Sequence, residues 1–214
     1  MPNAVQAKLP PPREDRAGKK QRTRTRIVAQ ASRMLREQGL EKPAIDDVMA
    51  AADLTRGGFY AHVQNRDALV AEALNKAFDE ARRHFFFIGD WADSPKGNLV
   101  GKKWVEYAAR QYLSEGHLRE AVTRCPLPSL GSEMARTRPE IRHVFTENVR
   151  EMLDATIRRS GAKTKRDKER ALRMFCAWVG AVMLARGFDD DALAKDLLQS
   201  CKNETLRDFG RSKK

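Results

Sequence analysis

Apolar residues along this chain return every three to four positions over long stretches and nowhere alternate, so the pattern predicts helices and no strand. Ile27, Ala31, Met34 and Leu35 mark a first helix over about residues 20 to 38, closed by Gly39 as its C-cap. Ile45, Val48, Met49 and Ala52 form the stripe of a second helix, about 45 to 52. Asp53 and Leu54 break that stripe. Thr55, a good N-cap, opens a third helix over about 55 to 62, and Leu54, Phe59 and Val63 turn back onto the second. Asn65 caps a fourth helix, where Leu69, Ala73, Leu74, Ala77, Phe78, Ala81 and Phe85 hold the period to about residue 87.

The second half repeats the theme with more interruptions. A loop over 89 to 97 precedes a fifth helix marked by Val100, Trp104, Tyr107, Ala108 and Gln111 to about 115, with a break at Glu115 and Gly116. Short helical pieces over 117 to 124 and 129 to 136 flank Pro126 and Pro128, since proline removes a donor and disfavours helix in the residue before it. Pro139 opens a helix carrying Ile141, Val144, Phe145, Val149, Met152, Leu153 and Ile157, and Ser160 and Gly161 end it. After a short basic linker, 162 to 166, come helices over 168 to 186 and 190 to 208. The first of these is apolar around its circumference from Met174 to Ala185, twelve residues and too short to cross a membrane. It must therefore be covered on more than one side, by the chain's own helices or by a second copy. In a two-fold dimer these last two helices would meet their copies as a four-helix interface, with Gly180 and Ala181 permitting close approach.

Two helices around a tight turn near residue 53 have the spacing of a helix-turn-helix. Gly57 and Gly58 stand inside the second of them, although each costs about 1 kcal/mol relative to alanine in a helix interior. Close approach of backbone to a duplex would account for them. Arg56 is then placed to read a guanine edge, and Tyr60, His62 and Arg66 to bond phosphate oxygens. A flexible turn before a long helix is the plainer alternative.

Charge strengthens the first reading. The formal net charge is +12, and residues 1 to 26 hold eight Lys or Arg against Glu14 and Asp15, a balance of +6 leading into the proposed DNA-binding domain. Residues 1 to 18, with Pro10, Pro11 and Pro12, are expected to form a disordered basic tail. Cys125, Cys176 and Cys201 form no CxxC pair, so neither a disulfide framework nor a cysteine zinc site is suggested, and a reducing cytoplasm is expected. The N-terminus is charged and proline-rich, unlike a secretory signal. Cys125, beside Arg124, is either a thiol that senses oxidants or electrophiles or a small buried residue at a helix break; Cys176 and Cys201, on apolar stripes, are expected in the core. No nucleophile with its base, HExxH pair or phosphate-binding glycine loop stands out, so no enzyme, cofactor or metal is expected; a His117, Cys125 and His143 metal set has no supporting spacing.

The stretch Gly58-Phe59-Tyr60-Ala61-His62-Val63-Gln64-Asn65-Arg66-Asp67-Ala68-Leu69 resembles the signature of the tetracycline-repressor (TetR/AcrR) family of bacterial transcription regulators. Arg24-Thr25-Arg26-Ile27-Val28 with Ala31, Leu35, Gly39 and Leu40 is similar to the first helix of that family, so the close likeness spans roughly residues 20 to 80. Cys125-Pro126-Leu127 is similar to a segment in the regulatory domain of some members. Two positions depart from the pattern. Ala44 stands where Ser or Thr is usual, leaving Asp46 to cap the second helix, and Asp53 replaces the usual turn glycine, though Asp tolerates a left-handed backbone.

The resemblance implies an all-α chain: a disordered tail over 1 to 18, a three-helix DNA-binding domain over 19 to 66, and a helical effector-binding and dimerisation domain over 67 to 210. It implies a homodimer on a palindromic double-stranded operator, contacted by Arg24, Thr55, Arg56, Gly57, Gly58, Tyr60, His62 and Arg66, and more often a repressor than an activator. It also implies a small-molecule pocket between residues 70 and 165, for which Trp104, Tyr107, Tyr112, Cys125, Phe145, Met152 and the nearby Trp178 are candidates; each is otherwise ordinary packing. A sequence-independent basic DNA-coating protein is the rival from another class.

Overall fold

The computed structural model describes residues 16–86, 99–119 and 125–210, and among them every regular element is helical. Helix α1 (Arg16–Gln38) ends at Gly39, whose φ of +88° is the left-handed C-cap expected of it. Helix α2 (Ile45–Ala51) buries Val48 and Met49. The chain then turns through Asp53 at φ +53°, the one non-glycine residue with positive φ among those described. The next segment departs from expectation: Arg56–Ala61 is a six-residue 3-10 turn, not an α-helix. A stretch this short with two glycines has little to gain from the wider α-helical coil, and its one buried side chain, Phe59, suffices to seat it.

Helix α3 (Arg66–Ala81) begins as predicted, with the Asn65 side chain accepting from the Ala68 N–H. It passes at Arg82–Phe86 into a π-helical turn instead of running on unbroken. The predicted loop over 89 to 97 lies outside the described residues, as do residues 1–15 of the predicted tail; residues 16–18 of that tail are helical. Helix α4 (Gly101–Tyr112) is shorter than predicted, and the break falls at Leu113 and Ser114, because Glu115 and Gly116 already belong to the short α5 (Glu115–Arg119). Helix α6 (Pro126–Leu130) starts at its proline, where a missing N–H leaves nothing unsatisfied. A 3-10 turn at Met134–Arg136 leads to α7 (Pro139–Arg159), then α8 (Lys165–Arg186) and α9 (Asp191–Gly210).

Helix α8 opens three residues earlier than its hydrophobic pattern suggests. The cause is a capping box: Thr164 Oγ1 accepts from the Asp167 N–H, and the Asp167 carboxylate accepts from the Thr164 N–H at 3.1 Å. A second correction concerns the far side of this helix. Cys176, Ala177, Met183 and Leu184 are exposed, at 45% and 52% for the last two, and Leu193 of α9 is 50% exposed. Cys176 is therefore a surface residue and Cys201 only half-buried, because a helix apolar all round gives its sequence no means of marking which face its own chain covers.

One core runs from the helix-turn-helix region into the helices that follow it. Ile27, Leu35, Val48, Phe59, Leu74, Phe78, Phe85, Trp104, Leu130 and Val182 are all fully buried. Full burial of a large apolar side chain stabilises by about 1.5–3 kcal/mol. Helix α3 is the shared wall, packed on α1 on one side and on α7 on the other.

Candidate nucleic-acid interface

The turn between α2 and the 3-10 segment is held by backbone bonds: Ala52 N–H to Val48 O at 3.0 Å and Leu54 N–H to Met49 O at 2.9 Å. Phe59 and Val63 then anchor the 3-10 turn from below. Its other residues face outward. Tyr60 is 69% exposed and meets Phe59 edge to face, with ring centroids 5.2 Å apart. Gly57 is open as well. A Cβ added there meets nothing within 4 Å, so the protein's own packing does not account for glycine at that position.

Arg56 Nη1 lies 2.8 Å from Asp46 Oδ2, and both side chains are more than half exposed. Asp46 thus pairs with Arg56 and does not cap α2, whose N-cap Ala44 offers no side-chain bond; an ion pair this exposed is worth less than about 1 kcal/mol and is readily exchanged for another anion. Thr55 has the extended backbone of an N-cap but makes no side-chain cap bond, because the turn it precedes is 3-10 and too short to aim an orphan N–H at its hydroxyl. His62 is half-buried beside Ala17, Lys19, Lys20 and Thr23 of α1, with a buried Nδ1 that has no hydrogen-bond partner among the described residues. Lys19, Lys20, Arg22 and Arg26 are exposed along α1. Arg56, Tyr60 and, beside His62, Lys19 and Lys20 present donors and an aromatic outward, with exposed Asp46, Asp47 and Asp53 near them in the chain.

Two predicted contacts sit differently. Arg24 reaches across to Glu72 of α3 at 2.6 Å. Arg66 donates to the Leu40 carbonyl at 2.7 Å and the Glu41 carbonyl at 3.1 Å, tying the end of α1 to the start of α3. The geometry makes both residues braces of the helix-turn-helix region. Sequence reasoning also missed Glu133, whose carboxylate accepts from the Leu40 N–H at 2.9 Å and so joins the segment before α7 to the end of α1. Nothing local in the sequence announces that contact, since 93 residues separate its partners.

The residues proposed for an effector pocket are mostly packing. Trp104, Cys125, Met152 and Trp178 are buried to within 2%, and Trp178 Nε1–H donates to Thr205 Oγ1 at 2.9 Å. Phe145 is half-buried against Phe78, and Tyr107 is half-buried, its hydroxyl pushed up in pKa by burial. Clefts among the described residues open elsewhere, for example between α8 and α9 around Met174, Ala177, Cys201 and Phe209.

Cys125 sits in a tight group with Tyr112 and His117. The Cys125 N–H donates to His117 Nε2 at 3.1 Å, which leaves Nδ1–H to donate to the Tyr112 carbonyl at 2.7 Å. The Tyr112 hydroxyl faces the Cys125 thiol without the geometry of a well-formed hydrogen bond. Burial pushes the thiol up, against the opposing pull of Tyr112 and Arg186. A buried thiol held protonated is the reverse of a reactive one, so the sensor reading loses its support; Arg124, invoked beside it, lies outside the described residues. His143 is exposed on α7, apart from this group.

No family model matches the chain. It is 25% identical over 174 residues to the HTH-type transcriptional repressor KstR2 of Rhodococcus jostii, covering 79% of this chain and 83% of that protein. A TetR transcriptional regulator from Chloroflexus aurantiacus, solved by crystallography, is 25% identical at a TM-score of 0.68, with 91% of this chain and 98% of that one covered. A TetR-family regulator from Streptomyces coelicolor, at 20% identity, matches in fold with a TM-score of 0.68 over 89% of this chain and 97% of that one. The chain therefore shares the fold of these TetR-family transcriptional regulators and is similar in sequence to two such regulators at 25% identity.

Proposed function

We propose that this regulator acts as a homodimeric repressor that reads a two-fold operator with Arg56, Gly57, Gly58 and Tyr60 in the major groove. Thr55, His62 and the exposed cations of α1 fix it on the phosphates. The observation that carries the reading is the pairing of an exposed Arg56 and Tyr60 with a buried Phe59 in one six-residue turn, which presents polar groups outward from a fixed base. Arg24 and Arg66 take part as braces of that base. Dimerisation through α8 and α9 is supported by the apolar stripe of Ala177, Met183, Leu184 and Leu193 left open on one chain. The family likeness supports release by a small molecule bound in the second domain, through its different affinity for two conformations.

Selection from a random duplex pool tests the reading. The full-length protein is expected to enrich one palindromic sequence, and Arg56→Ala to lose about 1–3 kcal/mol at one base position while binding random duplex as before. Equal loss on enriched and random DNA would remove Arg56 as a reader, and no enrichment at all would favour a sequence-independent coat protein. Leu184→Glu is expected to give monomers in sedimentation.

A further inference from the structure

The excess positive charge of this chain has two seats. Residues 1 to 26 carry +6, and residues 158 to 168 carry six cations (Arg158, Arg159, Lys163, Lys165, Arg166 and Lys168) against Asp167 alone, a balance of +5; the remainder of the +12 chain contributes +1. The first seat adjoins the reading turn. The second has no role in the function proposed so far.

Its place in the fold is distinct. The segment joins the end of α7 to the start of α8. The other end of α7 lies at the DNA-binding domain, where Arg138 pairs with Asp67 of α3. Twenty-one helical residues put about 30 Å between the two ends. Helix α4 adds to the same pole: Arg159 Nη1–H donates to the Leu99 carbonyl at 3.3 Å, a Cβ at Gly161 would stand 3.2 Å from the Gly101 Cα, and exposed Lys102 and Lys103 come next in the chain.

Five of the cations at this pole stand clear of carboxylates, while Lys102 lies 3.8 Å from Glu106 Oε1 of its own helix. Arg158, Lys163, Lys165, Arg166 and Lys168 are all exposed and take part in no ion pair among the described residues. Asp167, the one acid, is buried and occupied by the Thr164 cap and by Arg170. The N-terminus of α8 adds its own partial positive charge. Arg159 already feels the crowding, since burial and the neighbouring Arg158 lower its affinity for its proton. Like charges gathered this way oppose the fold unless an anion offsets them.

From this we infer that the pole formed by residues 158 to 168 with Lys102 and Lys103 holds the phosphate backbone of a second DNA duplex, so that a regulator seated at one site bridges to another segment. The inference rests on the proposed function only in giving the first duplex to the reading turn. Chemistry favours a duplex over an anionic membrane. The segment interleaves its cations with Ser160, Gly161, Ala162 and Thr164 and offers no large apolar side chain to insert among lipids. With no aromatic or amide group present, it would grip phosphates without reading bases.

A bridging assay with full-length protein decides it. A short duplex of arbitrary sequence on beads is loaded with protein, washed, and offered a second, labelled duplex; a companion titration measures binding to one duplex alone. The wild type is expected to retain the second duplex in a salt-sensitive way. The variant Lys163→Gln, Lys165→Gln, Arg166→Gln, Lys168→Gln, which spares the cap, is expected to lose that retention about tenfold or more and to lower its logarithmic salt slope by about three to four. Binding of the first duplex and the melting temperature should stay unchanged. Capture by wild type and variant alike, no capture by wild type, or retention of phosphatidylglycerol vesicles in place of DNA would overturn the inference, as would equal loss of the first duplex. Failure of the reading-turn proposal shows separately, as absence of Arg56-dependent sequence preference.

Discussion

The two charged ends of this molecule are built in opposite ways. At the end proposed to read DNA, cations lie near a turn whose shape is fixed by Phe59, Val63 and Met49 in the core, so polar groups are held in one place relative to one another. At the distal end, cations stand on long flexible stems around a helix start, with one buried acid beneath them. On the functions proposed above, the difference separates two tasks that positive charge performs on nucleic acid. Shape discriminates among sequences, and charge alone supplies affinity.

Substitutions can break or sharpen that contrast. The largest effect is expected for Phe59→Ala, which empties a fully buried site and should lower unfolding free energy by about 3–5 kcal/mol in urea titration, with loss of sequence preference. A stable Phe59→Ala protein that kept its preferred sequence would show that the reading end is not shaped from below. Thr164→Ala removes one half of the α8 capping box and should cost about 1 kcal/mol by the same measurement. A loss as large as that of Phe59→Ala would mean that the distal end, too, depends on a fixed scaffold.

Between the ends, Cys125 gives a smaller signal. Its thiol is pushed up by burial, so its contribution to stability is complete below the ordinary thiol range and is lost as pH rises through the folded-state value. Urea midpoints from neutral to alkaline pH should fall, and Cys125→Ala should flatten that slope. Smallest of all, Lys165→Gln should change stability by less than about 0.5 kcal/mol, since its side chain is exposed and makes no ion pair among the described residues.

What the sequence made legible was local. Gly39 as a left-handed cap, Asp53 as a tolerated turn residue, Asn65 as an N-cap and Pro139 as a helix opener each act through neighbours a few positions away, and each stands where it was expected. The start of α8 was legible too, in the Thr164 and Asp167 spacing, but the basic residues around it read more readily as a linker. Harder to see was the 3-10 form of this turn, because Phe59 is its one buried side chain and a single apolar anchor carries no helical period. Arg66 could not have been placed at all from its neighbours. Its partners are carbonyls 25 and 26 residues back, and only the packing of α1 on α3 brings them within reach.

The link between Glu133 and the end of α1 has a mechanical consequence. A Cβ at Gly39 would lie 2.8 Å from Glu133 Oε1, so the carboxylate is lodged against bare backbone while it accepts from the Leu40 N–H. Such a joint is directional. Displacing Glu133 along the end of α1 lengthens and bends that bond, so together with the shared core it holds the two segments in one register.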